Sequence, residues 1–245
     1  MSGIVYSSQA LHSIGARHLP GDGHRRVAAP ERPPRWLAGS KRPRREDRKM
    51  SVVGVVLAGG RSSRFGRDKA LLEIGGETLL QRTVATLRAA CGDVLIVGPP
   101  ERGIQAPGTP VLQDERPGVG PLGGIATALR ARPGAAALVV AVDMPFLNLA
   151  LLKQLVALSV DADVVLPVVD GRGQQLHAVY GQRCLAEIDA QIATGDYKID
   201  RFFSNIRVRR VEEAELRRFD PMLRAFQNVN TPAAWEAALA ELRGA

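Results

Sequence analysis

Val52-Val53-Gly54-Val55-Val56-Leu57, running directly into Ala58-Gly59-Gly60-Arg61-Ser62-Ser63-Arg64-Phe65-Gly66-Arg67-Asp68-Lys69, is a short apolar run that breaks into a glycine-rich, cationic loop. In open α/β sheets, ligands bind just beyond the carboxyl ends of strands, which is where this loop falls. Its glycines let backbone N–H groups come close to phosphate oxygens, and Arg64 and Lys69 can offset the roughly four negative charges of a triphosphate. The stretch therefore reads as an anion cradle, and the competing reading is a glycine-rich surface turn with solvated arginines. Two better-known phosphate loops are excluded by spelling. A Walker A loop carries Lys and Ser/Thr directly after its last glycine, whereas Arg67 and Asp68 separate Gly66 from Lys69; a Rossmann loop needs G-x-G-x-x-G, which Gly59-Gly60 does not supply.

Working outward, short apolar runs alternate with helical periodicity, the signature of repeated β-α units and a mostly parallel sheet. Strands are predicted at Val52–Leu57, Val94–Val97, Val111–Gln113, Leu138–Val142 and Val164–Val168, all rich in Val, Leu and Ile as strands covered on both faces are. Leu80, Val84 and Leu87 stand at i, i+4, i+7, and Ile125, Ala128 and Leu129 at i, i+3, i+4, which are helical stripes. Beyond Val168 the order loosens, with strands predicted at Leu176–Tyr180 and Ile206–Val211 around a helix, Arg183–Ala193. A last helix, Pro232–Leu242, has Thr231 as its N-cap and Pro232 in the first turn, where the missing N–H costs nothing.

Upstream of Met50 the pattern vanishes. Residues 1–49 mix Pro20, Pro30, Pro33, Pro34 and Pro43 with arginines and sustain no period, so a disordered basic extension is expected, followed by one domain over residues 50–245. The extension accounts for most of the formal +8: it carries eleven basic and four acidic residues, net +7, leaving +1 on the remainder. A nearly neutral domain behind a basic tail is not a nucleic-acid-binding surface. The longest apolar run, Ala135–Val142, is far below the roughly 20 residues a membrane span requires. Cys91 and Cys184 lie far apart with no CxxC, and the four histidines have no zinc-ligand spacing, so plain buried thiols are expected. With no signal-peptide h-region and no disulfide framework, the cytoplasm is the expected compartment.

Asp143 closes the apolar strand and is followed by Met144-Pro145-Phe146, whose proline stops the strand and leaves the carboxylate at the sheet's edge. Mg²⁺ takes one or two protein carboxylates and completes its octahedron with phosphate oxygens and water, so Asp143 can suffice as its protein ligand; the alternative is a cap for a helix beginning near Asn148. Asp114, at another strand end, either binds ligand or caps a turn. A literal G-x-G-x-x-G occurs at Gly118, Gly120 and Gly123, but it begins past a strand end and puts Pro121 where a helix should donate N–H groups. It suits a loop over a base or an acceptor better than NAD, although an NAD-dependent oxidoreductase remains the distant alternative. His177, alone in an apolar strand, is expected to hydrogen-bond structurally rather than act as a base. Asn228 and Asn230 flank Val229 and so point to one side of an extended chain, unless they serve as turn residues.

LAGGRSSRFGRDK (57–69), QDERPGVGPLGG (113–124), VAVDMPFL (140–147), QLHAVY (175–180) and NVNTP (228–232) stand in the order seen in molybdenum cofactor guanylyltransferases. The chain resembles that family from Ser51 to Trp235. The first motif is shared by many sugar-phosphate and isoprenoid nucleotidyltransferases; the closing NVNTP in a compact domain makes the resemblance more specific. It implies a single three-layer Rossmann-like nucleotidyltransferase domain, of the nucleotide-diphospho-sugar transferase type, that transfers GMP from GTP to molybdenum-molybdopterin with Mg²⁺ as cofactor. It also implies that Leu57, Ala58, Gly59 and Gly60 hold GTP through the backbone, Lys69 its phosphates, Asp114 the nucleoside side and Asp143 the Mg²⁺, with Arg64, Lys69 and Asp143 catalytic. Asn228 and Asn230 face molybdopterin, and proteins that deliver molybdopterin or chaperone molybdoenzymes are implied as transient partners. The sequence departs from many relatives after the second strand, where Gly98-Pro99-Pro100 replaces an asparagine; a molybdopterin cytidylyltransferase or another small Mg-dependent nucleotidyltransferase is therefore the alternative.

Overall fold

A computed structural model describes residues 51–59 and 68–244, which lie in a compact unit spanning Arg48–Ala245. The expected basic extension, together with Gly60 and Arg64, lies outside the described residues. Val52–Leu57 forms strand β1 over the span its apolar pattern predicts, and Val55 and Val56 are fully buried, one on each side of the sheet.

The chain continues through a 3-10 turn at Lys69–Leu71 and a small hairpin, β2 (Glu73–Ile74) and β3 (Glu77–Thr78), into helix α1 (Leu79–Cys91). Thr78 and Gln81 start α1 with a reciprocal capping box, each side chain meeting the other's backbone N–H at 3.1 and 2.8 Å. There follow β4 (Asp93–Val97), β5 (Val111–Leu112), α2 (Pro121–Ala131), β6 (Ala136–Ala141) and α3 (Leu149–Leu158). The last part comprises β7 (Val164–Val169), β8 (Arg172–Gly173), β9 (His177–Tyr180), α4 (Cys184–Ala193), β10 (Val208–Val211), α5 (Glu213–Leu216) and α6 (Pro232–Gly244).

The main sheet runs β10-β7-β9-β6-β1-β4-β5, with β8 paired to β7. Its pairings are parallel except those of β9 with its two neighbours and the β7–β8 hairpin. Alternation along the strands sends one set of side chains to each face. Val52, Val56, Val94 and Ile96 pack under α1, α3 and α5, while Val53, Val55, Leu95 and Val97 pack under α2 and α4. The result is the expected three-layer, mostly parallel α/β fold. Gly54 lets α1 lie close: a Cβ there would sit 2.9 Å from Leu87 Cβ. Helix α6 folds back onto the β2–β3 hairpin, where Trp235, Ala238 and Leu239 bury Ile74, Leu79 and Val229.

The chain passes from β1 outward to β4 and β5, then returns to the other side of β1 for β6. That reversal opens a crevice beyond the carboxyl ends of β1 and β6.

Candidate active site

The crevice is a cleft of about 1390 Å³, and all eight described candidate residues line it: Leu57, Ala58, Gly59, Lys69, Asp114, Asp143, Asn228 and Asn230. A smaller cavity of about 530 Å³, between α1 and the Met144–Asn148 loop, holds none of them.

The wall beside β1 is rigid because its backbone is already bonded. Val142 N–H donates to Leu57 C=O at 3.3 Å, and Ala58 N–H donates to Val97 C=O at 2.9 Å, so the three strands converge on the start of the loop. Lys69 enters from the 3-10 turn, which Asp68 opens as N-cap by accepting the Ala70 N–H at 3.1 Å. The half-buried Lys69 ammonium then donates to Asp143 Oδ2 at 3.0 Å and to Asn230 Oδ1 at 2.7 Å. A cation from the first loop, a carboxylate from the end of β6 and an amide from the segment before α6 thus meet, although 74 and 161 positions separate Lys69 from its partners.

Asp143 does not cap α3. Asn148 does so, accepting the Leu151 N–H at 3.0 Å, which leaves the Asp143 carboxylate on the cleft. The Asp143 main chain has its own task, since its C=O accepts the Val229 N–H at 2.9 Å. Val229 is buried, and Asn228 and Asn230 on either side of it are exposed to the cleft, as the alternation predicts. The cap of α6 is Thr231, which accepts the Ala234 N–H at 3.1 Å, so neither asparagine is spent on starting the helix.

Asp114 faces the cleft while also ordering its own turn. One carboxylate oxygen accepts the Arg116 N–H at 2.9 Å and lies 3.4 Å from the Thr127 hydroxyl. The G-x-G-x-x-G run is explained here without a dinucleotide. Gly118 and Gly120 take φ of 93° and 75°, where side chains are strained, and a Cβ at Gly123 would stand 2.9 Å from the Asp114 carboxylate. The third glycine makes room for an aspartate, not a pyrophosphate.

Two expectations change. His177 is fully buried, but among the described residues neither ring nitrogen has a hydrogen-bond partner; the ring packs on Phe226 with centroids 4.7 Å apart. The carboxylate whose charge bears on the ring, Asp220, is taken by the Ala225 N–H at 2.7 Å. Burial pushes the imidazole down to about 4, while the Ala225 main chain and Asp220 favour its charged form more weakly. Of the cysteines, Cys184 is buried as expected, but Cys91 is half-buried at the end of α1; burial raises both thiols to about 12, far from a reactive thiolate.

The sequence reading missed Arg102 and Asp68, both of which line the cleft and pair with each other. Asp68 sat inside the quoted motif without a role. Arg102 was signalled only as a cation following Gly98-Pro99-Pro100 at the end of β4.

The chain matches a family model, the MobA-like NTP transferase domain, over residues 54–212. It is 38% identical over 184 residues, covering 75% of this chain and 90% of the relative, to a Pelotomaculum thermopropionicum protein carrying the name molybdenum cofactor guanylyltransferase. A Mycobacterium tuberculosis protein of the same name is 41% identical over 157 residues, covering 61% of this chain and 78% of that one. Among solved structures, molybdopterin-guanine dinucleotide biosynthesis protein A from Archaeoglobus fulgidus superposes with a TM-score of 0.67 at 25% identity, covering 79% of this chain and all of that one. 2-C-methyl-D-erythritol 4-phosphate cytidylyltransferase from Thermus thermophilus shares the fold, with a TM-score of 0.58 at 20% identity over 77% of this chain and 98% of that one.

Proposed function

Because the chain belongs to the MobA-like NTP transferase family, we propose that it transfers GMP from GTP to molybdenum-molybdopterin, releasing pyrophosphate and forming molybdopterin guanine dinucleotide. The observation that carries this reading is the Lys69 ammonium bonded at once to Asp143 and to Asn230. The residues read as nucleotide-binding and those read as acceptor-binding share one cation.

In this mechanism the terminal phosphate oxygen of molybdopterin attacks the α-phosphorus of GTP. A new P–O bond forms, the bond from the α-phosphorus to the bridging oxygen breaks, and pyrophosphate leaves with that oxygen. The nucleophile is already an anion, so the protein contributes alignment and charge neutralisation rather than proton abstraction. Leu57, Ala58 and Gly59 form the wall for the nucleotide and Asp114 lies toward the nucleoside, while Gly60 and Arg64, given these roles by the resemblance, lie outside the described residues. Lys69 exchanges its Asp143 partner for phosphate oxygens and neutralises the charge growing on the leaving group. Asn228 and Asn230 hold the acceptor at the opposite end.

Nucleotidyltransferases of this family generally use a divalent metal. The residues here are compatible with Mg²⁺: Asp143 offers a carboxylate on the cleft and would hold the ion there, since Mg²⁺ is commonly bound through only one or two protein carboxylates. When bound, the ion supplies further neutralisation of phosphate charge. Among the described residues no helix is long and apolar enough to cross a membrane. A cytoplasmic enzyme meeting proteins that deliver molybdopterin, without nucleic acid or membrane, completes the proposal.

The test incubates the full chain with molybdenum-molybdopterin, Mg²⁺ and each of the four nucleoside triphosphates, reading pyrophosphate release and product mass. GTP is expected to support turnover and to yield the guanine dinucleotide. Preference for CTP, or no release with any nucleotide, would refute the assignment.

A further inference from the structure

Lys69 is joined, through its neighbour Asp68, to a second cation that lines the same cleft, Arg102. Lys69 belongs to a turn of three residues with one buried side chain, Ala70, so local packing alone holds it weakly. Its N-cap, Asp68, uses both carboxylate oxygens: Oδ1 accepts the Ala70 N–H at 3.1 Å, and Oδ2 meets Arg102 Nη2 at 2.5 Å. The other terminal nitrogen of Arg102, Nη1, donates to the Ala58 C=O at 3.3 Å. One guanidinium therefore ties the end of β1 to the start of the turn that carries Lys69. Both side chains are largely shielded, at 26% and 16% exposure, where a charge-assisted pair is worth more than at an open surface.

Arg102 is itself set rigidly. It closes a 3-10 turn, Pro100–Arg102, preceded by Pro99, and two consecutive prolines fix the backbone that presents it. Arg102 N–H donates to Pro99 C=O at 3.2 Å, and Gly103 leaves the turn with φ 66°. Arginine suits the task because its planar fork reaches two acceptors at once, which an ammonium on a flexible stem does not reproduce.

We propose that Arg102 is a positioning residue for Lys69. Through Asp68 it fixes the Lys69 turn against β1, and so sets where the Lys69 ammonium stands between Asp143 and Asn230. The link to guanylyl transfer rests on the function proposed above; the positioning itself does not.

The test has a structural and a kinetic arm, both on the full chain. Crystal structures of Arg102→Gln and Arg102→Lys are compared with wild type, with melting temperatures measured alongside. The expected result is a displaced Lys69 turn with the Lys69–Asp143 contact lengthened or lost, least so in Arg102→Lys, in proteins whose melting changes little. An unmoved Lys69 in Arg102→Gln would overturn the proposal, whatever reaction the protein performs; should that variant fail to fold, Arg102→Lys and Asp68→Asn decide in its place. In the kinetic arm, Arg102→Gln and Asp68→Asn are each expected to lower kcat/KM for GTP about 10- to 100-fold, the scale of a misplacement near 1 Å, and to leave KM for molybdopterin nearly unchanged. The double variant should be no worse than either single one, because both remove the same link. Multiplying effects would mean that Arg102 acts directly on substrate, and would overturn the positioning role. If wild type performs no guanylyl transfer, the functional reading fails, while the crystal structures still decide the position of Lys69.

Discussion

Lowering the pH from 7 to 5 is expected to destabilise the fold through one buried ring. His177 lies on β9 beside β6, with Val140 as its strand partner and with Phe226, the Ala225 main chain and Asp220 around it. In the native state burial holds the imidazole at about 4, against 6.5 when it is free. Between those values the unfolded chain binds a proton that the native chain refuses, so stability falls as pH falls through this window. At about 1.4 kcal/mol per tenfold change in proton affinity, the loss comes to about 2 kcal/mol between pH 7 and 5, and to about 3 kcal/mol by pH 4. Carboxylates with ordinary values near 4 are still mostly ionised at pH 5, so the upper part of the window belongs to histidine. Asp163, held below its usual range by the Arg207 guanidinium, gives up its contribution only at lower pH. Urea unfolding followed by circular dichroism at pH 7, 6 and 5, for wild type and His177→Leu, measures the effect. The other histidines, His12, His18 and His24, are common to both proteins and cancel in the comparison. Equal pH slopes in the two proteins would show that His177 is not the group responsible.

Two other outcomes are expected. Lys69→Ala and Asp143→Ala should each cut turnover about 100-fold or more while leaving the unfolding free energy from urea titration within about 1 kcal/mol of wild type, since both side chains lie on the cleft rather than in the core; full activity in either would contradict the mechanism. Gly123→Ala adds a Cβ 2.9 Å from the Asp114 carboxylate and 3.0 Å from the Arg116 carbonyl, so it should cost about 1–3 kcal/mol and raise KM for the nucleotide; unchanged binding by calorimetry would separate Asp114 from the nucleotide site.

Legibility in the sequence followed how local each interaction is. β1 has the predicted bounds because its apolar run is uninterrupted and ends in glycine. β6 begins at Ala136 rather than Leu138, since alanines pair with β1 while giving little strand signal of their own, and Val142, just past the last strand residue, still adds a rung by donating its N–H to the Leu57 C=O. β10 starts at Val208 instead of Ile206 because the Arg207 N–H turns aside to the Asp163 carboxylate. The β2–β3 hairpin and the cluster it forms with α6 left no period to read, as each strand is two residues long. The antiparallel sense of β9 depends on which strands it joins, and no run of four residues encodes that. In the site, Lys69 and Asp143 could be read from motifs that follow strands, and the two asparagines from their alternation around Val229. Arg102 could not, because its role exists only across the 44 positions that separate it from Ala58.

The sheet order explains why these motifs become one site. β6, β1, β4 and β5 are consecutive parallel neighbours, so their carboxyl ends face the same way. Asp143 follows β6, the glycine-rich loop and Lys69 follow β1, Arg102 follows β4 and Asp114 follows β5, which sets the chemistry out in a row along one edge. Asn228 and Asn230 come from no strand, yet the bond from Val229 N–H to Asp143 C=O fastens them to the β6 end of that row. A nucleotide lying from Asp114 toward Asp143 and an acceptor reaching in from the asparagines would then meet beside Lys69, the residue that touches both Asp143 and Asn230. Under the proposed function, charge neutralisation and substrate alignment would fall to the same side chain, so the geometry of its short turn, and not only its charge, would govern the reaction.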